Sequence, residues 1–428
     1  MKEDFVQYLW KHRMICGQPL QTTDGRKLEV ISPGQENHDS GPDFTAACVR
    51  IDSTLWAGNV EVHVKSSQWY AHGHDQDPAY DNIILHVVFH ADQLVQERNG
   101  KAIPHLEVRH YCRPGLAKNY AYLMQNPHHI ACEKLIHLVD DFSFSHWLGR
   151  LCVCRVERKA VEINRFLEYF GNHWEQLSLF LVARYLGGKA NAGAFGLLIQ
   201  RTPFEVISKN HHDLFALEAL LIGQAGLLTA AFDEEYPIRL QDTYNYLGKK
   251  YSLPDRLPQE LWKYARMRPA NFPDIRIAQL AAVIHANEAQ LFRKIMEADN
   301  TDKVRQIFHL EMNTYWNTHH RLGKISPART KKIGLNTVWQ ILINVAIPLL
   351  FVYGKARGKD GLVDQAMDLI EKTPSENNRI TRMWRDTGRV PVHAGESQGM
   401  LELYHHYCLP KKCLKCPVGH QVLNKNIR

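Results

Sequence analysis

The sequence predicts an α+β domain at the N-terminus, followed by a large, mainly α-helical domain. Three observations lead there. Between residues 28 and 108 short apolar runs, some alternating at period two, are separated by clusters of Gly, Pro, Asn and Asp. From about residue 130 to 400 the apolar spacing becomes that of amphipathic and buried helices. The length of 428 residues exceeds what one core of roughly 100–200 residues accommodates. The expected division is residues 1–130, residues 131–400, and a Cys-rich tail at 401–428.

Each element has a local reason. Residues 3–14 gather Phe5, Tyr8, Leu9 and Trp10 on one side, which suits a helix, and Gly17, Pro19 and Asp24-Gly25 end it. Strands are expected at Leu28–Ile31, Phe44–Ile51, Asn59–Lys65 and Ile83–Phe89, with a fifth at Leu106–Val108. Asp52-Ser53 is a turn. Later helices are expected within Phe144–Tyr169, Leu177–Tyr185, Leu214–Leu228 and Ile275–His285, punctuated by Gly187-Gly188, Pro203, Pro254 and Pro269.

Composition narrows the classes. The chain is 45% hydrophobic and 23% charged, as globular proteins are, and its net charge of +7 permits nucleic-acid binding without requiring it. Met1-Lys2-Glu3-Asp4 runs into a helical pattern, so no secretory signal is expected. The longest apolar run, Val338–Tyr353, carries Gln340, Asn344 and Pro348 and is shorter than the roughly 20 residues of a membrane span. A buried helix is expected there, with no membrane as partner. Nine cysteines, three of them crowded near the end, argue for a reducing, cytoplasmic setting and a metal site.

Gly41-Pro42-Asp43-Phe44 precedes Glu61-Val62-His63-Val64-Lys65 by 16 residues. On the second of these strands Glu61, His63 and Lys65 share one face and the three valines the other. A hairpin in the right register would bring Asp43 to Glu61. Paired carboxylates suit a hard divalent cation, Mg²⁺ or Mn²⁺, which keeps waters for a phosphate substrate. His63 would position the water and Lys65 would bind phosphate. The same pattern would also describe the solvated face of an exposed strand.

Five histidines, His63, His72, His74, His86 and His90, fall within 28 residues. His72 and His74, in a Gly-containing loop after the Glu61 strand, are the better candidates for a second metal or for phosphate contacts, with His86 accessory. At the other end, Cys408, Cys413 and Cys416 have a spacing that binds zinc or an iron–sulfur cluster. The fourth ligand is open between histidine (His405, His406 or His420) and a remote cysteine such as Cys132 or Cys112. Arg266, Arg268, Asn271 and Arg276 surround a Pro-rich run that would present guanidiniums to phosphates or to a partner's carboxylates. Gly187-Gly188-Lys189-Ala190-Asn191 lacks P-loop spacing and fits close helix packing.

A helix, a strand, a strand opened by Pro42-Asp43 and a strand carrying Glu61 resemble the core of PD-(D/E)xK nucleases, a restriction-endonuclease-like mixed sheet with a flanking helix. The resemblance implies Asp43 and Glu61 as metal ligands and Glu3 as a third acid; the family's lysine position holds His63. The tail resembles the iron–sulfur loop ending endonuclease-III-type glycosylases, with a shorter first spacing. As a whole the chain is identified as a member of an uncharacterised bacterial family, domain of unknown function 2851. The residues that carry this include Gly41–Phe44, Glu61–His63, Trp69 with His72-Gly73-His74, Leu85–Val88, Arg268–Pro273 and the terminal cysteines. The expected function is Mg²⁺-dependent cleavage of DNA. The alternatives are a non-catalytic nucleic-acid-binding or scaffold protein with a degraded site, and a zinc enzyme built on the histidines.

Overall fold

The computed structural model describes residues 1–15, 19–113 and 115–425; Gly17, expected to help end the first helix, lies outside them. The chain forms two compact units, Met1–Trp147 with Leu403–Arg428, and Leu148–Glu402. The first unit therefore runs past residue 130, and the tail belongs to it rather than standing apart. The reason is packing and hydrogen bonding. The segment Pro417–Leu423 lies against Leu116–Gln125 and Glu133–Leu138, Asn119 Nδ2 donates to Leu423 O at 3.0 Å, and Lys411 Nζ donates to Met124 O at 2.7 Å.

In the first unit the helix α1 (Glu3–Lys11) is followed by β1 (Leu28–Ser32), β2 (Gln35–Glu36), β3 (Phe44–Ile51) and β4 (Thr54–Lys65). A crossover through the short helix α2 (Gln68–Ala71) leads to β5 (Ile83–His90), and β6 (His105–Glu107) completes the sheet. The order is β1-β3-β4-β5-β6, with β2 paired to β3. β1, β3 and β4 are antiparallel, whereas β5 and β6 run parallel to β4. A parallel partner needs a crossover, and this one carries the residues that matter below. α1 packs on β4 and β5 through buried Phe5, Val6, Leu9 and Trp10. β5 is buried from Ile83 to Val88, as a central parallel strand should be. The expected strands are all present; β4 begins five residues earlier than expected, and the two-residue β2 was not anticipated.

The second unit is helical, with long elements at Trp174–Arg201, Leu214–Gln224, Glu235–Tyr251 and Pro273–Ala286, and a two-stranded ribbon, His319–Arg321 with Lys324–Ile325, that local pattern did not suggest. Leu335–Arg357 is long and apolar enough to cross a membrane by composition, but it packs inside the unit through Ile341, Leu342, Ile347 and Leu349. Its middle, Leu342–Ala346, is a π-helical segment.

Candidate metal and carboxylate site

A bulge decides whether the two carboxylates meet. From Ile51↔Thr54 to Ala47↔Gly58 the β3–β4 pairs keep one register, which continued would set Asp43 opposite Val62. The register shifts between Phe44 and Ala47, where Ala46 adopts φ 54°, so Phe44 pairs with Val60 and Asp43 comes level with Glu61. One inserted residue thus moves Asp43 to the face that carries Glu61. The Asp43 amide donates to Glu61 Oε2 at 3.1 Å, and the Val62 amide donates to Asp43 Oδ2 at 3.1 Å. Gln7 of α1 holds the other oxygen, donating through Nε2 to Oδ1 at 2.9 Å. Burial, then the charges of Glu61 and Glu3, push the Asp43 carboxyl up to about 7. Burial and Glu61 also raise Glu3, which places this third acid beside the pair.

Glu61 and His63 are only 5% and 1% exposed, so this face is not a solvated strand surface. His74 Nε2 stands 3.3 Å from Glu61 Oε1, and His63 Nε2 stands 3.8 Å from the same oxygen. His63 Nε2 lies 3.1 Å from His72 Nδ1. One ring nitrogen each from His63, His72 and His74 lies within 4.8 Å of the others. Two ligands bound to one ion at about 2.1 Å, at angles between 90° and 110°, stand roughly 3.0–3.4 Å apart. The His63–His72 and His74–Glu61 separations have that size.

The crossover supplies the support. Trp69 is fully buried, with its ring centroid 5.3 Å from that of His74 and 5.5 Å from that of His86. Tyr80 stacks on His74 at 3.9 Å. Behind His63, its Nδ1 meets His86 Nε2 at 2.8 Å, and the His86 ring lies 5.0 Å from that of His105. If His63 Nδ1–H donates to His86, His63 Nε2 is left free of a proton, the state a metal ligand needs. Burial, aided by His74 and His72, lowers His63 to about 3 and keeps it neutral; burial and its neighbouring histidines lower His86 well below the usual imidazole range.

The other expected residues divide. Lys65 is exposed at the end of β4, and its amide donates to Gln68 Oε1 at 2.8 Å. His90 turns to Arg109, 3.2 Å away, not to His86. His420 meets Tyr8 through Nδ1 at 2.8 Å. Arg266, Asn271 and Arg276 line one cavity of the second unit, whereas exposed Arg268 is not part of its lining. Cys408, Cys413 and Cys416 are joined by Cys132, whose thiol is raised by burial and by Cys416 and Cys413.

A family model described as protein of unknown function DUF2851 matches residues 3–379. The chain belongs to this family. Searches of curated proteins and of solved structures return no match. The matched stretch of the DUF2851 chain contains every carboxylate and histidine of the site, together with Cys132; Cys408, Cys413 and Cys416, counted above among the family features, lie beyond it.

Sequence reading of the DUF2851 chain missed Gln7 and His105. Gln7 lies one turn from Glu3 on α1, and that i, i+4 spacing was the available signal. His105 becomes a neighbour only through the parallel β5–β6 register, His86↔His105, for which no local signal exists.

Proposed function

We propose that this DUF2851 protein is a metal-dependent hydrolase of phosphodiester bonds in nucleic acid, DNA being the expected substrate. One observation carries the reading: Glu61 meets Asp43 through one oxygen and the imidazoles of His74 and His63 through the other. The residues fit a divalent ion. His63, His72 and His74 with Glu61 would hold it, and three imidazoles favour zinc or iron over the magnesium or manganese expected from the carboxylates alone. Asp43 and Glu3 add negative charge beside Glu61, where a second cation such as Mg²⁺ or Mn²⁺ would be held. A bound ion of this kind acidifies a water and offsets charge developing on the phosphoryl oxygens. The chain's own groups would do the rest. Gln7 and the Val62 amide keep Asp43 in place, His86 keeps His63 in one tautomer, and Trp69 and Tyr80 fix His74. Exposed Lys65, two residues beyond His63 on the same face, is available to a phosphate of an incoming strand. The order of elements, helix, antiparallel strands and crossover to a parallel strand, supports the nuclease-like reading of the fold.

The test is a labelled single- and double-stranded DNA and RNA cleavage assay with Mg²⁺, Mn²⁺ or Zn²⁺, alongside metal analysis of the purified protein. Cleavage should require added or retained metal and fall at least a hundredfold in Glu61→Gln and in Asp43→Asn. Salt-sensitive binding without cleavage, unchanged in both variants, would instead support the non-catalytic binding protein.

A further inference from the structure

We propose that the helical unit binds a small phosphorylated ligand, of nucleotide size, in a cationic cavity. The cavity encloses about 1000 Å³, at the upper end of the usual range for small-molecule sites. Five cations line it, Lys159, Arg184, Lys189, Arg266 and Arg276, against one acid, Glu162, which stands 3.6 Å from Arg184. That imbalance in a concave wall concentrates positive potential.

Two of these cations donate to neutral groups. Arg276 donates to neutral oxygens, Gln279 Oε1 at 2.8 Å and Asn271 Oδ1 at 2.5 Å, and its buried Nε has no hydrogen-bond partner among the described residues. Lys159 Nζ likewise donates to neutral acceptors, Asn344 Oδ1 at 2.8 Å and Gln398 Oε1 at 3.2 Å. Burial pulls Lys159 down to about 7, and an anion in the cavity would restore its charge. Guanidinium forks match phosphate oxygens in pairs, which favours a phosphorylated ligand.

Irregular backbone builds the wall. Trp174–Arg201 is interrupted at Gly188, with φ 57° and ψ −168°, and Gly188 and Lys189 line the cavity. The π-helical segment Leu342–Ala346 contributes Asn344 and Val345 to the same lining, and such bulges occur often at functional sites. Two stretches singled out in the sequence, Gly187–Asn191 and Arg266–Arg276, thus meet at one place.

Thermal unfolding and calorimetry of the full chain with pyrophosphate, ATP, sulfate and a 5′-phosphorylated oligonucleotide test this. Pyrophosphate or ATP should bind in the micromolar range. The double variant Lys189→Ala/Arg266→Ala, at exposed positions that leave the core intact, should weaken binding at least tenfold, and Arg276→Lys should do the same. Equal affinity in wild type and double variant, equal response to sulfate, binding of the oligonucleotide alone, or no response to any phosphate would overturn the proposal.

A different observation carries a second inference: the geometry points to an iron–sulfur cluster held by Cys132, Cys408, Cys413 and Cys416. Cys132, Cys413 and Cys416 are buried and Cys408 is half-buried. Their carrier segments pack together, Glu133–Leu138 on Pro417–Leu423 and Tyr404–Cys408 on Cys413–Lys415. The amides of Val418 and Gly419 hydrogen-bond to Cys416. Two thiolates on one zinc at about 2.3 Å stand at most about 4.6 Å apart. Among the described residues the ligand group gathered within 4.8 Å is the histidine trio, and the four cysteines do not form such a group. A multi-iron cluster, whose thiolates sit on different irons, does not require the four sulfurs to gather round one ion. His420 meets Tyr8 through Nδ1, and its ring lies 5.0 Å from that of His12; the four cysteines make a complete ligand set without it.

Anaerobically purified full-length protein should contain iron and acid-labile sulfide in equal amounts and absorb broadly near about 400 nm, as thiolate-bound clusters do. Cys132→Ser should lose the iron and the absorbance, and His420→Ala should keep both. Zinc without sulfide, no metal at all, or sulfide-matched iron retained in Cys132→Ser would refute the assignment.

Discussion

Single residues carry charge that the fold has removed from water, and their cost is measurable. Glu218 is fully buried and accepts hydrogen bonds from Tyr236 and from Trp316 Nε1, the latter at 3.0 Å. Burial nonetheless raises its carboxyl to about 7. Between the ordinary glutamate value and about 7 the folded protein keeps a proton that the unfolded chain has shed. Stability from this group therefore falls as pH rises through that window and levels off above it. The loss is on the order of 3 kcal/mol. Urea unfolding at pH 5 to 8 should show this slope in wild type and its flattening in Glu218→Gln, whose amide retains both partners. Identical slopes would remove the burial argument. At this scale the sequence was informative where chemistry and strand parity coincide: Glu61 and His63 were legible as a pair on one face. Gln7 and His105 were not, because their partners lie 36 and 19 positions away across elements.

Elements show why strand parity alone was insufficient. The alternation in β4 assigns Glu61 to one face, but the bulge near Ala46 decides that Asp43 shares it. Nothing in Phe44-Thr45-Ala46-Ala47 announces a bulge by composition; it follows from pairing with β2 and β4, a non-local matter. Gly188 is the opposite case, since a glycine pair inside a helical pattern signals a break. Its φ and ψ fall where only glycine is comfortable, and no atom lies within 4 Å of an added Cβ. Gly188→Ala should therefore cost about 1–3 kcal/mol through backbone strain alone, read from the shift in unfolding midpoint. A neutral outcome would show that the break is not required. Trp69 tests the crossover in a similar way. Trp69→Ala should destabilise the first unit by about 3–5 kcal/mol and weaken metal binding through His74 and His86, whose rings it abuts.

For the whole chain, the sequence made the α+β domain and the helical domain visible, since both rest on local periodicity. It did not show that the tail returns to the first unit, because that depends on contacts such as Asn119 with Leu423, 304 positions apart. The segments that carry the tail's cysteines accordingly lie near the one that follows Cys132. The central claim, however, rests on Asp43, Glu61 and the three histidines within one short stretch of the first unit. The most direct measurement is the divalent metal content of full-length protein, dialysed against metal-free buffer and compared with Glu61→Gln and His63→Ala/His74→Ala. The account predicts about one zinc or iron per chain, beyond the iron matched by acid-labile sulfide, that is lost in both variants and retained in Cys132→Ser, which loses the sulfide-matched iron alone. A protein that binds no divalent ion, or one whose metal is indifferent to Glu61, His63 and His74, would contradict it.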